Sequence, residues 1–280
     1  MVHSDRFLLA GVMGWPVMHS RSPKLHNYWF ERHHLSGTYV PLAIQPERLE
    51  AALRALSPLG FSGCNLTIPH KQMALEVVDD AEPAARRIGA VSCVTVRADG
   101  TLYGANYDGY GFIQSVFEAA PGWRAEAGPA VVVGAGGAAR AVAYALAESG
   151  ASEIRVINRT FERAKELAEE FGAPLSAHSW EGRGAALDGA ALLVNTTSQG
   201  MVGEPPLDLA LDALPKTALV ADVVYVPLET PLLGVARRRG NRVVGGLGML
   251  LHQARPAWKS WFGIEPEVTP ELRSLIEATL

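Results

Sequence analysis

The sequence predicts an α/β protein of two domains, on three observations. Strand-like and helix-like segments alternate over the first hundred residues, the sign of a mostly parallel sheet. A β-branched run then stops at a glycine-rich turn in mid-chain, Ala130-Val-Val-Val-Gly-Ala-Gly-Gly-Ala-Ala-Arg-Ala141, and an alanine-rich helical stretch follows, Ala138 to Ser149. Beyond it a βαβ series continues. Gly134, Gly136 and Ala139 satisfy G-x-G-x-x-G/A, the fingerprint of a Rossmann-type dinucleotide domain. At 280 residues the chain has room for two cores, and the expectation is two α/β domains flanking a cleft.

Taken in order, residues 7–14 read as a strand. The loop from Pro16 leads to a helix running to about Leu35, with Ser22 as N-cap and Pro23 at the first helical position. Thr38–Ile44 reads as strand, Pro46–Leu56 as helix, Gly63–Ile68 as strand and His70–Val78 as helix. Val91–Arg97 and Thr101–Tyr107 form a hairpin about Asp99-Gly100. A helix from Asp108 to about Ala120 crosses into the second domain. There, strands are expected at 130–133, 153–157, 191–195 and 218–224, with helices at 138–149, 161–171 and 231–239. A short strand at Arg242–Val244 precedes helices Met249–Trp261 and Glu271–Ala278. Arg237-Arg-Arg239 ahead of Gly240 suits a helix C-terminus, where cations are favoured and glycine ends the helix.

The formal net charge is −4 and basic residues are scattered, which argues against a nucleic-acid surface. The cysteines, Cys64 and Cys93, lie in apolar strand-like runs with no paired spacing, as expected of a reduced cytoplasmic chain. The apolar run Phe7–Met18 contains glycine, ends in a Trp-Pro-containing loop and lacks a small-residue cleavage site, so it reads as a first strand and not a leader. No run approaches the roughly 20 apolar residues of a membrane span. None of the eight histidines stands in a usual metal-ligand spacing; His19, His26 and His70 read as packing or hydrogen-bonding groups.

The turn Gly134, Ala135, Gly136, Gly137, Ala138 is a candidate pyrophosphate cradle, because a helix N-terminus offers free N–H groups and a positive dipole end. The adenosine ribose is read about 20 residues beyond the glycines, where NAD binders usually carry Asp or Glu. This chain has Asn158-Arg159-Thr160 there, with Arg163 four residues past Arg159. Two guanidiniums and no acid suit a 2′-phosphate, so NADP is expected over NAD. Asn195-Thr196-Thr197 ends a strand and lines the same cleft.

Three stretches of the first domain carry more polar function than a core needs. Ser20 and Ser22 put two hydroxyls at a helix N-terminus, a ready carboxylate site. In Asn65-Leu-Thr-Ile-Pro-His-Lys71, strand alternation puts Asn65 and Thr67 on one face, and Lys71 falls just inside the next helix. A cation is disfavoured at a helix N-terminus, which suits Lys71 to give up a proton. Asn106-Tyr-Asp-Gly109 places the carboxylate of Asp108 at a strand-to-helix turn.

These residues resemble the shikimate dehydrogenase family over nearly the whole chain. The matching pieces in the first domain are Gly14-Trp-Pro-Val-Met-His-Ser-Arg-Ser-Pro-Lys-Leu-His-Asn27, Asn65–Lys71, Gly89-Ala-Val91 and Asn106–Gly109. In the second they are Gly134–Arg140, Asn158–Thr160, Asn195-Thr-Thr-Ser-Gln-Gly-Met201, Asp222-Val-Val-Tyr225 and Gly248-Met-Leu-Leu-His-Gln-Ala254. The resemblance implies NADP-dependent interconversion of 3-dehydroshikimate and shikimate, in the biosynthesis of chorismate and aromatic amino acids. It implies a substrate domain of residues 1–107 plus 248–280 and an NADP domain of residues 108–247. Ser20 and Ser22 would hold the ring carboxylate, Asn65, Thr67 and Gln253 the ring hydroxyls, and Lys71 with Asp108 would move the proton. Val224, Tyr225 and Met249 would border the nicotinamide, with Gly246 beside the cofactor and Tyr225 also facing substrate. A small-molecule substrate, no nucleic acid and no membrane are the expected partners; a homodimer stays open.

The chain departs from the family at two positions. The family usually reads Gly-Ala-Val-Asn-Thr where this chain has Gly89-Ala-Val-Ser-Cys93, so Ser92 replaces an asparagine that reads a ring hydroxyl. It usually reads Asn-Thr-Asp-Gly where this chain has Tyr107. Sites built to bond hydroxyls discriminate by on the order of 10⁴-fold or more when a partner is lost. Three readings therefore stand: a shikimate dehydrogenase that tolerates both changes, a paralogue acting on quinate or another polyhydroxy ring acid, and a non-catalytic cofactor-binding regulatory module.

Overall fold

The computed structural model describes residues 7–280, among which two six-stranded sheets form, each in its own compact unit. One unit holds the chain through Tyr107 together with Ala254–Thr279; the other holds Asp108–Gln253. Among the described residues no helix is long and apolar enough to cross a membrane.

The first unit is built from β1 (Leu8–Gly14), α1 (Ser22–Arg32), β2 (Gly37–Ala43), α2 (Leu49–Ala55), β3 (Gly63–Leu66), α3 (His70–Val77), β4 (Asp80–Ala81), α4 (Pro83–Ile88), β5 (Cys93–Val96) and β6 (Leu102–Ala105). Its strand order is β2-β1-β3-β5-β6-β4. All strands run one way except β5, which pairs antiparallel with β3 and β6 around the Asp99-Gly100 turn. β4, α4 and the 3-10 turn Pro46–Arg48 before α2 add to the expected elements. α1 begins one residue earlier than expected: Arg21 is the N-cap, Ser22 is already helical and Pro23 follows it. The reason lies in Ser20, whose Oγ accepts from the Ser22 N–H at 3.2 Å and so satisfies an orphan donor of the first turn.

The second unit opens with α5 (Asp108–Ala119) and continues through β7 (Ala130–Val133), α6 (Gly137–Glu148), β8 (Ile154–Ile157), α7 (Phe161–Phe171), β9 (Leu175–His178), β10 (Leu192–Asn195), β11 (Leu219–Asp222), α8 (Pro231–Arg239) and β12 (Arg242–Val244). Its sheet is parallel throughout, in the order β12-β11-β10-β7-β8-β9, the doubly wound arrangement. Strand alternation sends Ala130 and Val132 into one core with Val142, Leu146 and Leu167, and Val131 and Val133 into another with Leu233 and Ala236. A strand buried on both faces must be apolar at every position, which is why β7 reads as an unbroken run. Each fully buried valine or leucine contributes about 1.5–3 kcal/mol. Arg237 to Arg239 close α8, and Gly240 caps it at φ 93°.

α9 (Gly246–Phe262) starts three residues before the expected Met249, and α10 (Pro270–Glu277) ends the fold. The later turns of α9 are fixed in the first unit by aromatic packing. Trp258 is fully buried against Trp29, Phe30 and Phe262, with ring centroids 5.0–5.6 Å apart. Trp261 Nε1 donates to the Val94 carbonyl at 3.0 Å, and Trp29 Nε1 to the Glu267 carbonyl at 3.1 Å.

Candidate active site

In the first unit the polar residues gather where β1 and β3 end side by side. Thr67 N–H donates to the Met13 carbonyl, and the Thr67 carbonyl takes the His70 N–H at 2.9 Å, the turn that starts α3. Lys71 is thereby held in the first turn of that helix, half-buried, and its carbonyl accepts from Val91 N–H at 2.8 Å. Ser22 is buried, and nearby the phenol of Tyr39 donates to Asn65 Oδ1 at 2.8 Å. Asn65 Nδ2 donates to the Ser92 carbonyl at 3.3 Å. Ser20, Ser22, Asn65 and Ser92 are thus brought together in one unit.

Ser92 is buried, and its Oγ accepts from the Tyr107 N–H at 2.9 Å. The Tyr107 hydroxyl pairs with Ser260 Oγ of α9 at 2.9 Å, and burial pushes this phenol above its ordinary range. The two departures from the family pattern are therefore one local arrangement: the short serine side chain accepts the backbone amide of the bulky tyrosine. Glu82 supports the same turn by accepting from Asn106 N–H at 2.9 Å, and Asn106 Nδ2 donates to the Ala90 carbonyl. Burial raises the Glu82 carboxyl against that hydrogen bond. His70 bonds the Ile44 carbonyl, and His26 stacks on Tyr39; burial pushes the His26 imidazole down to about 3, so it stays neutral.

Asp108 is 1% exposed and is the first residue of α5, in the second unit. Gln253 groups with that unit too, where its Cβ and the Met249 carbonyl border Gly111 of α5.

The fingerprint turn sits at the carboxyl end of β7, the switch point of the sheet. Gly134 has φ +117°, and a Cβ there would lie 2.5 Å from Thr196 Oγ1, so the position needs glycine. Thr196 is locked there because both its N–H and its hydroxyl donate to the Val133 carbonyl. Gly136 is the N-cap of α6, which has no side-chain cap and no acid in its first turn. A Cβ on Gly136 or Gly137 would enter open space, so the start of α6 is uncrowded, as a pyrophosphate cradle requires. Ala135 and Ala138 add no charge to it.

Beside the turn is a cavity of about 160 Å³ lined by Gly134, Asn158, Arg159, Trp180, Thr197 and Glu204. Asn158 Nδ2 donates to the Thr160 carbonyl, and Thr160 is the N-cap of α7 without a side-chain capping bond. Arg159 and Arg163 are exposed and form no ion pair among the described residues. These donors fit a dinucleotide carrying a further phosphate. Trp180, which stacks on the Arg183 guanidinium at 4.8 Å, has no motif around it that sequence reading could use.

The ends of β10 and β11 are tied by the buried carboxylate of Asp222. Oδ1 accepts from Asn195 Nδ2 and the Val224 N–H, both at 3.0 Å, and Oδ2 accepts from Thr230 Oγ1 at 2.7 Å. Burial nevertheless outweighs the three donors and raises Asp222 to about 6. Asn195 Oδ1 in turn takes the N–H and hydroxyl of Thr197, and the Val224 carbonyl takes the Gly246 N–H at 3.3 Å. Val224, half-buried Tyr225 and Gly246 therefore sit on segments positioned from Asp222.

Residues 12–94 match the family model for the shikimate dehydrogenase substrate binding domain, and residues 121–202 that for shikimate / quinate 5-dehydrogenase. A shikimate dehydrogenase (NADP(+)) of Paramagnetospirillum magneticum is 53% identical over 273 residues, 98% of this chain and 99% of the relative. Shikimate 5-dehydrogenase from Thermus thermophilus, solved in complex with NADP(H) and shikimate, superposes with a TM-score of 0.87 at 37% identity, covering 98% of this chain and 100% of its own. Quinate dehydrogenase from Corynebacterium glutamicum, solved with NAD, has a TM-score of 0.90 at 31% identity, covering 97% and 99%. The chain belongs to the shikimate dehydrogenase family.

Proposed function

We propose that this chain catalyses the NADP-dependent interconversion of 3-dehydroshikimate and shikimate. The observation that carries this reading is the 53% identity, over essentially the full length of both chains, to a relative named for that activity. Fold alone does not choose between shikimate and quinate, since the TM-scores are 0.87 and 0.90; sequence identity does, at 53% and 37% against 31%. A silent regulatory module would have no need of Lys71 and Asp108, and both are present.

The first unit is the substrate domain and the second the cofactor domain. Ser20 and Ser22 take the ring carboxylate; Asn65, Thr67 and Gln253 take ring hydroxyls, and Ser92, Tyr107 and Tyr225 are further substrate-binding residues. Bound NADP supplies or accepts the hydride. The amides of Gly134 to Ala138 receive its pyrophosphate. Arg159, with Arg163, Asn158 and Thr160, receives the 2′-phosphate. Thr196, Val224, Gly246 and Met249 border the remainder. In the reductive direction Lys71 Nζ donates a proton to the alkoxide forming at the carbonyl oxygen, and Asp108 orients that ammonium; in the oxidative direction Lys71 takes the hydroxyl proton back. The net charge of −4 and the buried free thiols of Cys64 and Cys93 support a cytoplasmic enzyme with no nucleic-acid partner.

A positioned acid contributes about 10²–10⁴-fold, so Lys71→Ala should lower kcat by that order and change KM for shikimate much less. Near-parental turnover of purified Lys71→Ala would remove Lys71 from this role.

A further inference from the structure

We propose that Tyr39 is a positioning residue for substrate binding: its phenol donates to the Asn65 amide oxygen and holds Asn65 as a hydrogen-bond donor toward the substrate. The inference rests on the assignment of Asn65 to the substrate, made above.

Tyr39 lies in β2, beside Ala10 of β1, and is 1% exposed. Its backbone is clamped by one side chain: the Tyr39 N–H donates to Asn27 Oδ1 at 2.8 Å, and Asn27 Nδ2 donates to the Tyr39 carbonyl at 3.0 Å. Its ring stacks on the neutral His26 ring with centroids 4.0 Å apart and planes within 4°. Backbone and ring are therefore both held, and the phenol oxygen has a fixed address against Asn65.

The direction of each proton follows from the chemistry of the ends. The Ser92 carbonyl can only accept, so the group of Asn65 that meets it is the amide nitrogen. That leaves Oδ1 toward Tyr39, and an amide oxygen can only accept, so the phenol donates to it. Asn65 consequently has its acceptor occupied and one N–H left over. At that position the pocket offers a donor and asks the substrate for a lone pair, which a ring hydroxyl has and an ammonium group lacks. The Ser92 carbonyl alone is a long partner for the amide at 3.3 Å, and the phenol at 2.8 Å supplies the closer hold.

Tyr39→Phe in the full-length chain keeps the ring on His26 and removes the phenolic hydroxyl, leaving Asn65 Oδ1 without its buried donor. KM for shikimate should rise about 10-fold, the effect of one orphaned acceptor, with kcat within about 3-fold of the parent and KM for NADP unchanged. In an Asn65→Ala background the same substitution should change KM by less than about 2-fold, since its route of action is gone. A parental KM for Tyr39→Phe, or an equal rise in both backgrounds, overturns the proposal. A parental KM for Asn65→Ala alone would instead overturn the assignment of Asn65 on which it rests. Should Tyr39→Phe fail to fold, Asn65→Asp with Tyr39 in place tests the same orientation, since a carboxylate keeps an oxygen for the phenol but has no N–H: KM for shikimate should rise about 10-fold, and a parental KM overturns the proposal.

Discussion

Replacing Asp222 by asparagine removes a titrating group that the fold holds out of water, and the consequence is a change in how stability depends on pH. The carboxyl is 2% exposed and burial raises it from 3.8 to about 6. The folded state therefore binds this proton more tightly than the unfolded chain does. Its contribution to stability is fully present below the unfolded value near 3.8 and is lost as pH rises through about 6. At 1.36 kcal/mol per unit, a rise of that size corresponds to about 3 kcal/mol, of which about 2 kcal/mol disappears between pH 4 and pH 7. Asp79, Asp80, Asp99 and Glu153 act in the opposite sense, because hydrogen bonds hold them below their usual range. They are common to parent and variant and cancel in the difference. Urea unfolding of both proteins across that pH range measures it: the parental free energy minus that of Asp222→Asn should fall by about 2 kcal/mol as pH rises from 4 to 7. Parallel profiles would mean that Asp222 is ionised throughout and that its three donors, not burial, govern it.

Two further predictions concern the cofactor domain. Gly134→Ala places a methyl group 2.5 Å from Thr196 Oγ1 on a backbone at φ +117°, so KM for NADP should rise and thermal stability should fall; unchanged values for both would mean that the turn relaxes at no cost. Arg159→Ala should raise KM for NADP by about 10- to 100-fold, the loss of one charge-assisted bond, while leaving KM for NAD nearly unchanged; an equal effect on both cofactors would remove the 2′-phosphate from Arg159.

What the sequence made legible depended on whether a signal was local. β7 and α6 were readable because an unbroken apolar run ended at a glycine fingerprint, and burial on both faces of the strand explains the run. β9 was not, since all four of its residues are only half-buried at the sheet edge and show no alternation. β4 spans two residues, too few for any period. The N-cap of α1 is one residue from the expected Ser22 because nothing in the sequence marks Arg21 as a cap: it makes no side-chain capping bond, and Ser20 Oγ takes the Ser22 N–H instead. Ser20, Ser22, Asn65 and Lys71 stood out as polar groups beside helix starts. Tyr39 did not, because a tyrosine in a strand reads as core, and Asp222 stood only within a family-matching piece, with no sign of the partners it ties together. Their partners Asn65 and Asn195 are 26 and 27 residues away in the chain, so only the fold makes the pairs visible. The return of α9 to the first unit follows from Trp258 and Trp261, whose spacing alone does not say which core they fill.

The most direct measurement is the rate of NADPH formation by the purified chain with shikimate, with quinate, and with NAD in place of NADP. Rapid reduction of NADP with shikimate is expected, with far slower turnover for quinate and for NAD. Turnover of quinate in preference to shikimate, or of neither acid, would contradict the assignment of this chain as an NADP-dependent shikimate dehydrogenase.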